Sequence, residues 1–179
     1  RLIEIYEALA AHGYREVGQE YLQNVLDTAK QLDAYDSGRI YYYLGEYQKA
    51  YLALDEARDK GGADSYLYLG RAYAATGDYN YASSVYNNYL SKQGPNAEIY
   101  NELGLCEMAK KEYQNALAAF QAGKQIEGNS LMQTLCFNEI VAYEYLEDYQ
   151  QAEILMNAYL QNYPDDQTAI REQQFLSTR

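Results

Sequence analysis

Four short stretches of the sequence repeat one pattern: GEYQKA at 45–50, GDYNYA at 77–82, KEYQNA at 111–116 and EDYQQA at 147–152. Each stretch has a turn residue, then an acid, a tyrosine, two variable residues and an alanine. Successive alanines lie 32, 34 and 36 residues apart, which averages 34. A period of this length is typical of a helical unit that stacks on copies of itself. The sequence therefore predicts a repeat protein.

Two further positions follow the same register. The residues twelve places before the alanines are mostly glycine; they are Gly38, Gly70, Gly104 and Ile140. The residues four places after the alanines are bulky and apolar; they are Leu54, Tyr86, Phe120 and Met156. A small residue on one helix and an alanine on the next let two backbones approach closely, and the bulky side chains fill the space around that contact. Each copy is therefore predicted to be a hairpin of two α-helices.

Turn and terminator residues place the ends of the second helices. The acid that follows each turn puts a carboxylate at the start of a second helix, where the helix dipole favours negative charge. Pro95 and Pro164 are predicted to follow the ends of two second helices. Gly61-Gly62 is predicted to end the shorter helix of the second copy.

The C-terminal segment predicts one further helix, over 165–177. It opens with the capping acids Asp165 and Asp166. Four apolar residues are expected to cover the last hairpin: Ala169, Ile170, Phe175 and Leu176. Three polar residues are expected to face water: Arg171, Glu172 and Gln173. A terminal cap of this kind keeps a repeat array soluble.

The repeats resemble the tetratricopeptide repeat family over most of the chain. The best copy carries the resemblance at Leu69-Gly70, Tyr73, Ala82, Tyr86 and Pro95. The next copy adds Leu103-Gly104, Ala116 and Phe120. The resemblance implies an all-α fold, an α-α superhelix (solenoid) of about five helix hairpins plus a C-terminal capping helix, in a single domain. The expected repeats are 1–30, 31–62, 63–96, 97–130 and 131–164, followed by the capping helix at 165–177.

Two copies depart from the family pattern. The last copy has Glu139-Ile140 where the family has Leu-Gly, so its helices are expected to cross at a slightly wider separation. In the first copy only Tyr14, Val17 and Tyr21 fit the register. Because the chain begins at Arg1 inside a helical pattern, we expect the first copy to be trimmed and the C-terminus to be natural.

The net charge limits the classes of partner that the protein is expected to bind. The 179 residues include 14 basic and 26 acidic ones, which gives a net charge of −12. Such a surface repels phosphates and anionic lipids, so binding to nucleic acid or to a membrane surface is disfavoured, whereas a basic partner would be attracted. The sequence has no apolar run of the about eighteen residues that a transmembrane helix requires.

Residues suited to catalysis or metal binding are scarce. One histidine, His12, and two cysteines, Cys106 and Cys136, do not make a zinc-type ligand set. His12 is predicted to be an exposed turn residue, and the cysteines are predicted to be small buried apolar residues rather than a disulfide. The recurring acids start helices in every copy, which a structural role explains better than acid–base chemistry. We expect no cofactor and no enzymatic activity.

The family resemblance implies a concave groove that binds protein or peptide ligands and is lined by the first helix of each hairpin. Arg39 and Arg71 stand one residue after Gly38 and Gly70, so they are expected to lie side by side in that groove. Two guanidinium groups can hold a carboxylate by paired hydrogen bonds, and tyrosines around them offer a large contact area. The predicted peptide-binding residues are Tyr35, Arg39, Tyr42, Tyr43, Tyr68, Arg71, Asn101 and Asn138.

Other interpretations of these residues stay open. The two arginines could instead pair with acids of the same chain, the candidates being Asp36, Asp64 and Glu102. A tyrosine-lined groove could stack on sugars, and the hairpins could self-associate. The sequence disfavours a site that binds the tails of chaperones. The family's Lys and Asn positions for such a site are occupied here by Tyr35 or Leu67 and by Arg39 or Arg71.

Eight of the 23 tyrosines are assigned to packing, because they occupy repeat-core positions: 41, 47, 73, 79, 86, 113, 143 and 149. The richness in tyrosine, together with the terminal helix, resembles bacterial repeat proteins of the surface-associated or lipid-anchored type. That resemblance implies an extracytoplasmic, lipid-anchored parent protein, with a cytoplasmic protein as the alternative.

Overall fold

The computed structural model describes residues 2–59 and 62–179. All regular secondary structure within these residues is α-helix. The helices of this part of the chain are α1 (Leu2–Ala11), α2 (Arg15–Thr28), α3 (Ala34–Tyr43), α4 (Tyr47–Ala57), α5 (Gly62–Ala75), α6 (Tyr79–Gln93), α7 (Ala97–Ala109), α8 (Tyr113–Lys124), α9 (Met132–Tyr145), α10 (Tyr149–Asn162) and α11 (Gln167–Leu176). The predicted all-α class is confirmed.

The chain divides into two compact units, Arg1–Val85 (unit 1) and Tyr86–Arg179 (unit 2), and each has a core of its own. In unit 1, α1 packs on α2 and α3 packs on α4, while α5 contacts both α3 and α4. In unit 2, helices α7 to α11 pack in chain order, each on the next. Consecutive packing of this kind is what a series of hairpins predicts.

The alanines of the repeat are confirmed as core residues. Ala50, Ala82, Ala116 and Ala152 are all completely buried. The bulky residues four places further on are also completely buried; they are Leu54, Tyr86, Phe120 and Met156. Among the eight tyrosines assigned to the core, Tyr86 is completely buried and the other seven are half-buried.

The glycines of the first helices are required by close packing against the second helices. A Cβ atom on Gly38 would lie 2.6 Å from Cγ of Leu54, and one on Gly104 would lie 2.3 Å from Cε1 of Phe120. Both distances are far below the usual separation of about 3.5–4.0 Å between packed carbon atoms. In the fifth copy Ile140 takes the place of glycine, and it packs with Ala152 and the flexible Met156.

The first hairpin has a different pair of residues at the close contact between its two helices. Gly18 of α2 stands where the other copies have alanine, and a Cβ atom there would lie 2.9 Å from the Tyr6 ring. Tyr6 of α1 is buried at the place where the other copies have glycine. The register residues proposed for this copy were partly wrong, because Tyr14 and Val17 are both more than half exposed.

The turns inside the hairpins share one backbone conformation. The turn residue has a positive φ in each copy, whether it is glycine or not: Gly13 (84°), Gly45 (78°), Gly77 (85°), Lys111 (64°) and Glu147 (61°). In the second copy the amide of Glu46 donates to the carbonyl of Tyr41 (2.9 Å), and the amide of Gly45 donates to that of Tyr42 (3.0 Å). These two bonds form a Schellman motif, which satisfies the last carbonyls of the first helix.

The predicted helix ends are mostly confirmed. Asp148 caps α10 by accepting a hydrogen bond from the amide of Gln151, whereas Glu46 and Glu112 make no side-chain cap bond. Pro95 and Pro164 follow α6 and α10 by two residues. The terminator prediction for Gly61-Gly62 is corrected in part: α4 already ends at Ala57, Gly62 opens α5, and Gly61 lies outside the described residues.

The C-terminal helix α11 lies as a cap on α10. Asp166 accepts hydrogen bonds from the amides of Thr168 (3.0 Å) and Ala169 (3.1 Å), which confirms the predicted capping acid. Ala169 and Leu176 are buried as predicted. Phe175 was also predicted to cover the last hairpin, and this prediction is wrong because the side chain stays partly exposed.

The polar side of α11 also differs from the prediction. Glu172 and Gln173 are half-buried rather than free in water, since Gln173 donates to Asn157 of α10 (2.9 Å) and Glu172 hydrogen-bonds with Glu144 of α9. No helix in the described part of the chain is long and apolar enough to cross a membrane.

Candidate functional site

Six of the predicted ligand-binding residues come together in unit 1, on helices α3 and α5. Both helices are first helices of hairpins and contact each other directly. Arg39 and Arg71 both lie on the same side as Tyr68, and each arginine directly follows a buried glycine of its own helix. We call the residues Tyr35, Arg39, Tyr42, Tyr43, Tyr68 and Arg71 the arginine–tyrosine cluster.

Tyr68 lies at the centre of the cluster, between the two arginines. The Arg39 guanidinium carbon lies 5.3 Å from the centroid of the Tyr68 ring, and that of Arg71 lies 5.8 Å from it. Arg39 also lies over the Tyr35 ring, at 4.9 Å. Guanidinium groups within about 6 Å of a ring face are attracted by its quadrupole. Two positive groups are thus held on one aromatic side chain.

The other hydrogen-bonding groups of the cluster form a chain. The Tyr43 hydroxyl donates to Oε1 of Glu7 (2.6 Å), and it lies 2.9 Å from the Tyr68 hydroxyl. Because the proton of Tyr43 is used on Glu7, the Tyr68 hydroxyl is the donor in the second bond. The oxygen of Tyr68 then remains an acceptor for Arg39, which hydrogen-bonds with it. The Tyr42 ring packs edge-on against the rings of Tyr43 (5.3 Å) and Tyr68 (5.5 Å).

Tyr35 and Tyr43 stay protonated at neutral pH. Burial, with a smaller contribution from the Asp64 carboxylate, raises the pKa of Tyr35 to about 12, against the opposing effect of Arg39. Burial and the hydrogen bond to Glu7 also raise the pKa of Tyr43. The hydroxyl of Tyr35 donates to Oδ2 of Asp64 at 3.2 Å.

The cluster satisfies Arg39 only in part. Its nearest carboxylate oxygen, Oδ1 of Asp36, lies 3.8 Å from Nη1, which is longer than a hydrogen bond. Nε of Arg39 is buried and has no hydrogen-bond partner among the described residues. Asp64, the second internal candidate, binds the Tyr35 hydroxyl. The internal pairing of Arg39 is therefore weak.

The two predicted asparagines belong to unit 2 and bind each other. Nδ2 of Asn138 on α9 donates to Oδ1 of Asn101 on α7 at 2.9 Å, and Asn101 is buried. Both amides thus use part of their hydrogen-bonding capacity on each other. The bond joins the first helices of the fourth and fifth copies.

Unit 2 also holds an ion pair that the sequence did not indicate. Lys124 of α8 pairs with the buried Glu139 of α9 beside a hollow of ≈ 320 Å³, and Nε2 of Gln121 donates to the same carboxylate at 2.9 Å. The available signal was Glu139 itself, an acid at a place where the family has leucine. Because both partners bind it, Glu139 is satisfied within the protein.

Catalytic and metal chemistry find little support in the described residues. No group of three His, Cys, Asp or Glu side chains in 2–59 and 62–179 is arranged to hold a metal ion. Nδ1 of His12 lies 2.8 Å from the Ala8 carbonyl, at an exposed turn. Cys106 and Cys136 are both free thiols, and burial raises the pKa of Cys106 to about 12, which makes it a poor nucleophile. Cys136 is half-buried rather than buried.

Comparison with known proteins gives a family match. The family model described as Tetratricopeptide repeat matches residues 35–82 and 69–129, which together span more than half of the chain. Among curated proteins, no relative matches this sequence.

Several solved structures are similar to this chain. A thermophilic tetratricopeptide repeat protein of Thermus thermophilus is 16% identical, with a TM-score of 0.74 over 99% of this chain and 98% of that chain. A tetratricopeptide repeat protein of Parabacteroides merdae is 18% identical, with a TM-score of 0.70 over 98% of this chain and 70% of that chain. The second such domain of human RPAP3, solved with the HSP70 peptide SGPTIEEVD, is 16% identical, with a TM-score of 0.55 over 62% of this chain and 90% of that chain. These likenesses confirm the fold.

Proposed function

Because the chain belongs to the tetratricopeptide repeat family, whose fold supports protein–protein interaction scaffolds, we propose that it binds a peptide segment of another protein through the arginine–tyrosine cluster. The ligand group is a carboxylate, from a peptide C-terminus or from an acidic side chain. The observation that carries the proposal is the pair of guanidinium groups held on the Tyr68 ring.

The incomplete pairing of Arg39 supports a carboxylate as the ligand. Its Nε atom is buried without a partner in the described residues, and Asp36 is too distant to satisfy it. A buried donor left without a partner costs free energy, which a bound acceptor would recover. Arginine is suited to this because its planar fork of donors matches the two oxygens of a carboxylate.

The tyrosines supply the contact surface of the proposed site. Their rings are fixed by one another and by Glu7, so little side-chain entropy is lost when a ligand orders them further. The RPAP3 domain was solved with a peptide that has two glutamates and an aspartate near its end. That precedent concerns another protein, and it agrees with an acidic ligand for this one.

A peptide array tests this proposal. The purified chain is applied to peptides that end in a free carboxylate and to the same peptides with an amidated end. The Arg39→Ala, Arg71→Ala double variant is compared with an Arg15→Ala, Arg58→Ala control, which removes the same charge from outside the cluster. Loss of a charge-assisted hydrogen bond costs about 1.5–3 kcal/mol, so binding should weaken about 10- to 200-fold in the first variant only.

The outcomes separate the two sources of the carboxylate. Loss of binding on amidation assigns the peptide C-terminus, whereas retained binding that needs an internal Asp or Glu assigns a side chain. If the control variant weakens binding as much as the cluster variant, bulk charge explains the result and the proposal fails. Binding of the same peptides by all three proteins would also reject it.

A further inference from the structure

An open hollow of ≈ 400 Å³ lies in unit 2, beside the ends of α9 and α11. Its lining residues are Glu144, Tyr145, Glu147, Tyr149, Glu172 and Phe175. We call it the C-terminal hollow. It shares no residue with the arginine–tyrosine cluster, and it combines two features, exposed aromatic rings and carboxylates.

The aromatic rings are presented to solvent by packing from behind. Tyr145 is 57% exposed, and its ring stacks on that of Tyr113 with centroids 5.0 Å apart and planes inclined by 26°. Phe175 on α11 is 39% exposed. An aromatic face that is fixed on one side and open on the other can receive a flat or positively charged group.

Three glutamates line the same hollow. Oε1 of Glu144 is buried and has no hydrogen-bond partner among the described residues. Burial, together with the neighbouring Glu172 carboxylate, raises the pKa of Glu144 to about 7. Two carboxyl groups that crowd in this way favour a positive group between or beside them, since a cation would remove their repulsion.

One guanidinium group already lies at the edge of the hollow. The guanidinium carbon of Arg179 lies 4.4 Å from the Phe175 ring centroid and 5.8 Å from the Tyr149 ring centroid. Both distances are within the range of cation–π attraction. The rings are thus arranged to accept a guanidinium group.

From these contacts we infer that the C-terminal hollow binds a basic side chain, arginine in preference to lysine, of a partner polypeptide. Arginine is preferred because its flat guanidinium can stack on a ring and bind carboxylates at its edge at the same time. The net charge of −12 attracts a basic segment to this surface before the contact forms. This site is independent of the proposed carboxylate site, whose residues all lie in unit 1.

NMR titration with two small probes tests the inference. N-acetylarginine amide is added to the chain with labelled aromatic rings at pH 8, and N-acetylcitrulline amide, a neutral analogue of the same shape, is the control probe. The signals of Tyr145 and Phe175 should shift with the arginine probe, and the citrulline probe should bind at least about tenfold more weakly, because it lacks the charge.

Three variants make the test specific. Tyr145→Leu keeps an apolar side chain but removes the ring, and Glu172→Gln removes one carboxylate; each should weaken arginine binding about fivefold or more. Glu127→Gln removes the same charge from an exposed turn outside the hollow and should leave binding unchanged. An Arg179→Ala variant reports whether the chain's own guanidinium competes; in that case the probe binds the variant more tightly.

Two results would overturn the inference. The first is the absence of ring shifts in both the parent and the Arg179→Ala variant at millimolar arginine probe. The second is a dimer that forms with concentration and is lost in Tyr145→Leu, because a second copy would then occupy the hollow. Since Arg39 and Arg71 take no part in this titration, its failure leaves the carboxylate site untouched.

Discussion

Among the glycines whose surroundings the structure describes, Gly104 on α7 is the one at which a single added methyl group should cost the most. A Cβ atom there would lie 2.3 Å from Cε1 and 2.6 Å from Cδ1 of Phe120. Packed carbon atoms are about 3.5–4.0 Å apart, so the ring would have to retreat by more than about 1 Å. Phe120 is completely buried in a cluster with Leu135 and Ala142, so the ring cannot retreat without moving its neighbours.

The expected loss in the free energy of unfolding is the packing cost of the new methyl group minus the gain in helix propensity. Overpacking of a core costs about 1–3 kcal/mol, and the severe overlap at Gly104 places Gly104→Ala at the upper end of that range. The better helix propensity of alanine returns about 1 kcal/mol. The free energy of unfolding should therefore fall by about 2 kcal/mol, which corresponds to a midpoint about 4–8 °C lower for a chain of this size.

Urea and thermal unfolding, followed by circular dichroism at 222 nm, measure this change. Gly123→Ala is the matched control, because a Cβ there would lie 3.0 and 3.1 Å from the two methyl carbons of Leu135 and 3.3 Å from Cβ of Tyr100, which are much smaller overlaps. Those methyl groups are the ends of a flexible side chain and can move by the few tenths of an ångström required. Its net effect should stay within about 0.5 kcal/mol.

A second substitution shows whether the ring is the cause. Phe120→Leu removes Cε1 and Cζ, two of the three ring atoms that overlap with the new methyl group, so the double variant should be at least about 1 kcal/mol more stable than the sum of the single effects. Equal effects of Gly104→Ala and Gly123→Ala, or strict additivity in the double variant, would show that the close approach at Gly104 does not control stability.

Two more predictions concern the turns and the C-terminal hollow. Lys111→Gly should stabilise the protein by about 0.5–1 kcal/mol in urea unfolding, because Lys111 has a φ of 64° that glycine adopts without strain, whereas an unchanged midpoint would contradict this. Burial and the Glu172 carboxylate raise the pKa of Glu144 to about 7, so the folded state holds this proton more tightly than the unfolded state. Stability should then fall as pH rises from about 5 to 7, by about 1 kcal/mol after allowance for solvent screening, and Glu144→Gln should flatten this slope.

The core was predictable because the same packing problem recurs at a fixed period. Ala116 and Phe120 could be assigned to the interior from their spacing alone, and both are completely buried. The first copy was harder, since it has Tyr6 where the next three copies have glycine, and Gly18 where the other copies have alanine. Spacing shows that two positions face each other, but it does not show which residue types fill them.

The surroundings of the candidate site depend on contacts between copies, which the repeat does not encode. The place of Arg39 beside Tyr68 followed from the register. The hydrogen bond from Tyr43 to Glu7 did not, because it joins residues 36 positions apart in different hairpins. The C-terminal hollow was missed for a related reason, since its carboxylates come from α9 and α11 and meet only when the last helix is docked. The predicted bacterial, lipid-anchored origin remains a prediction.

Differences between copies assign function better than their shared residues do. A residue needed for packing should recur from hairpin to hairpin, as the buried alanine does in the second to fifth copies. The place held by Arg39 and Arg71 is taken by Leu105 and Val141 in the next two copies, and Leu105 is exposed. Folding therefore does not require arginine at this place. Two arginines at a position that tolerates leucine and valine are most simply explained by a ligand, and the substitution of both by alanine should then weaken binding about 10- to 200-fold.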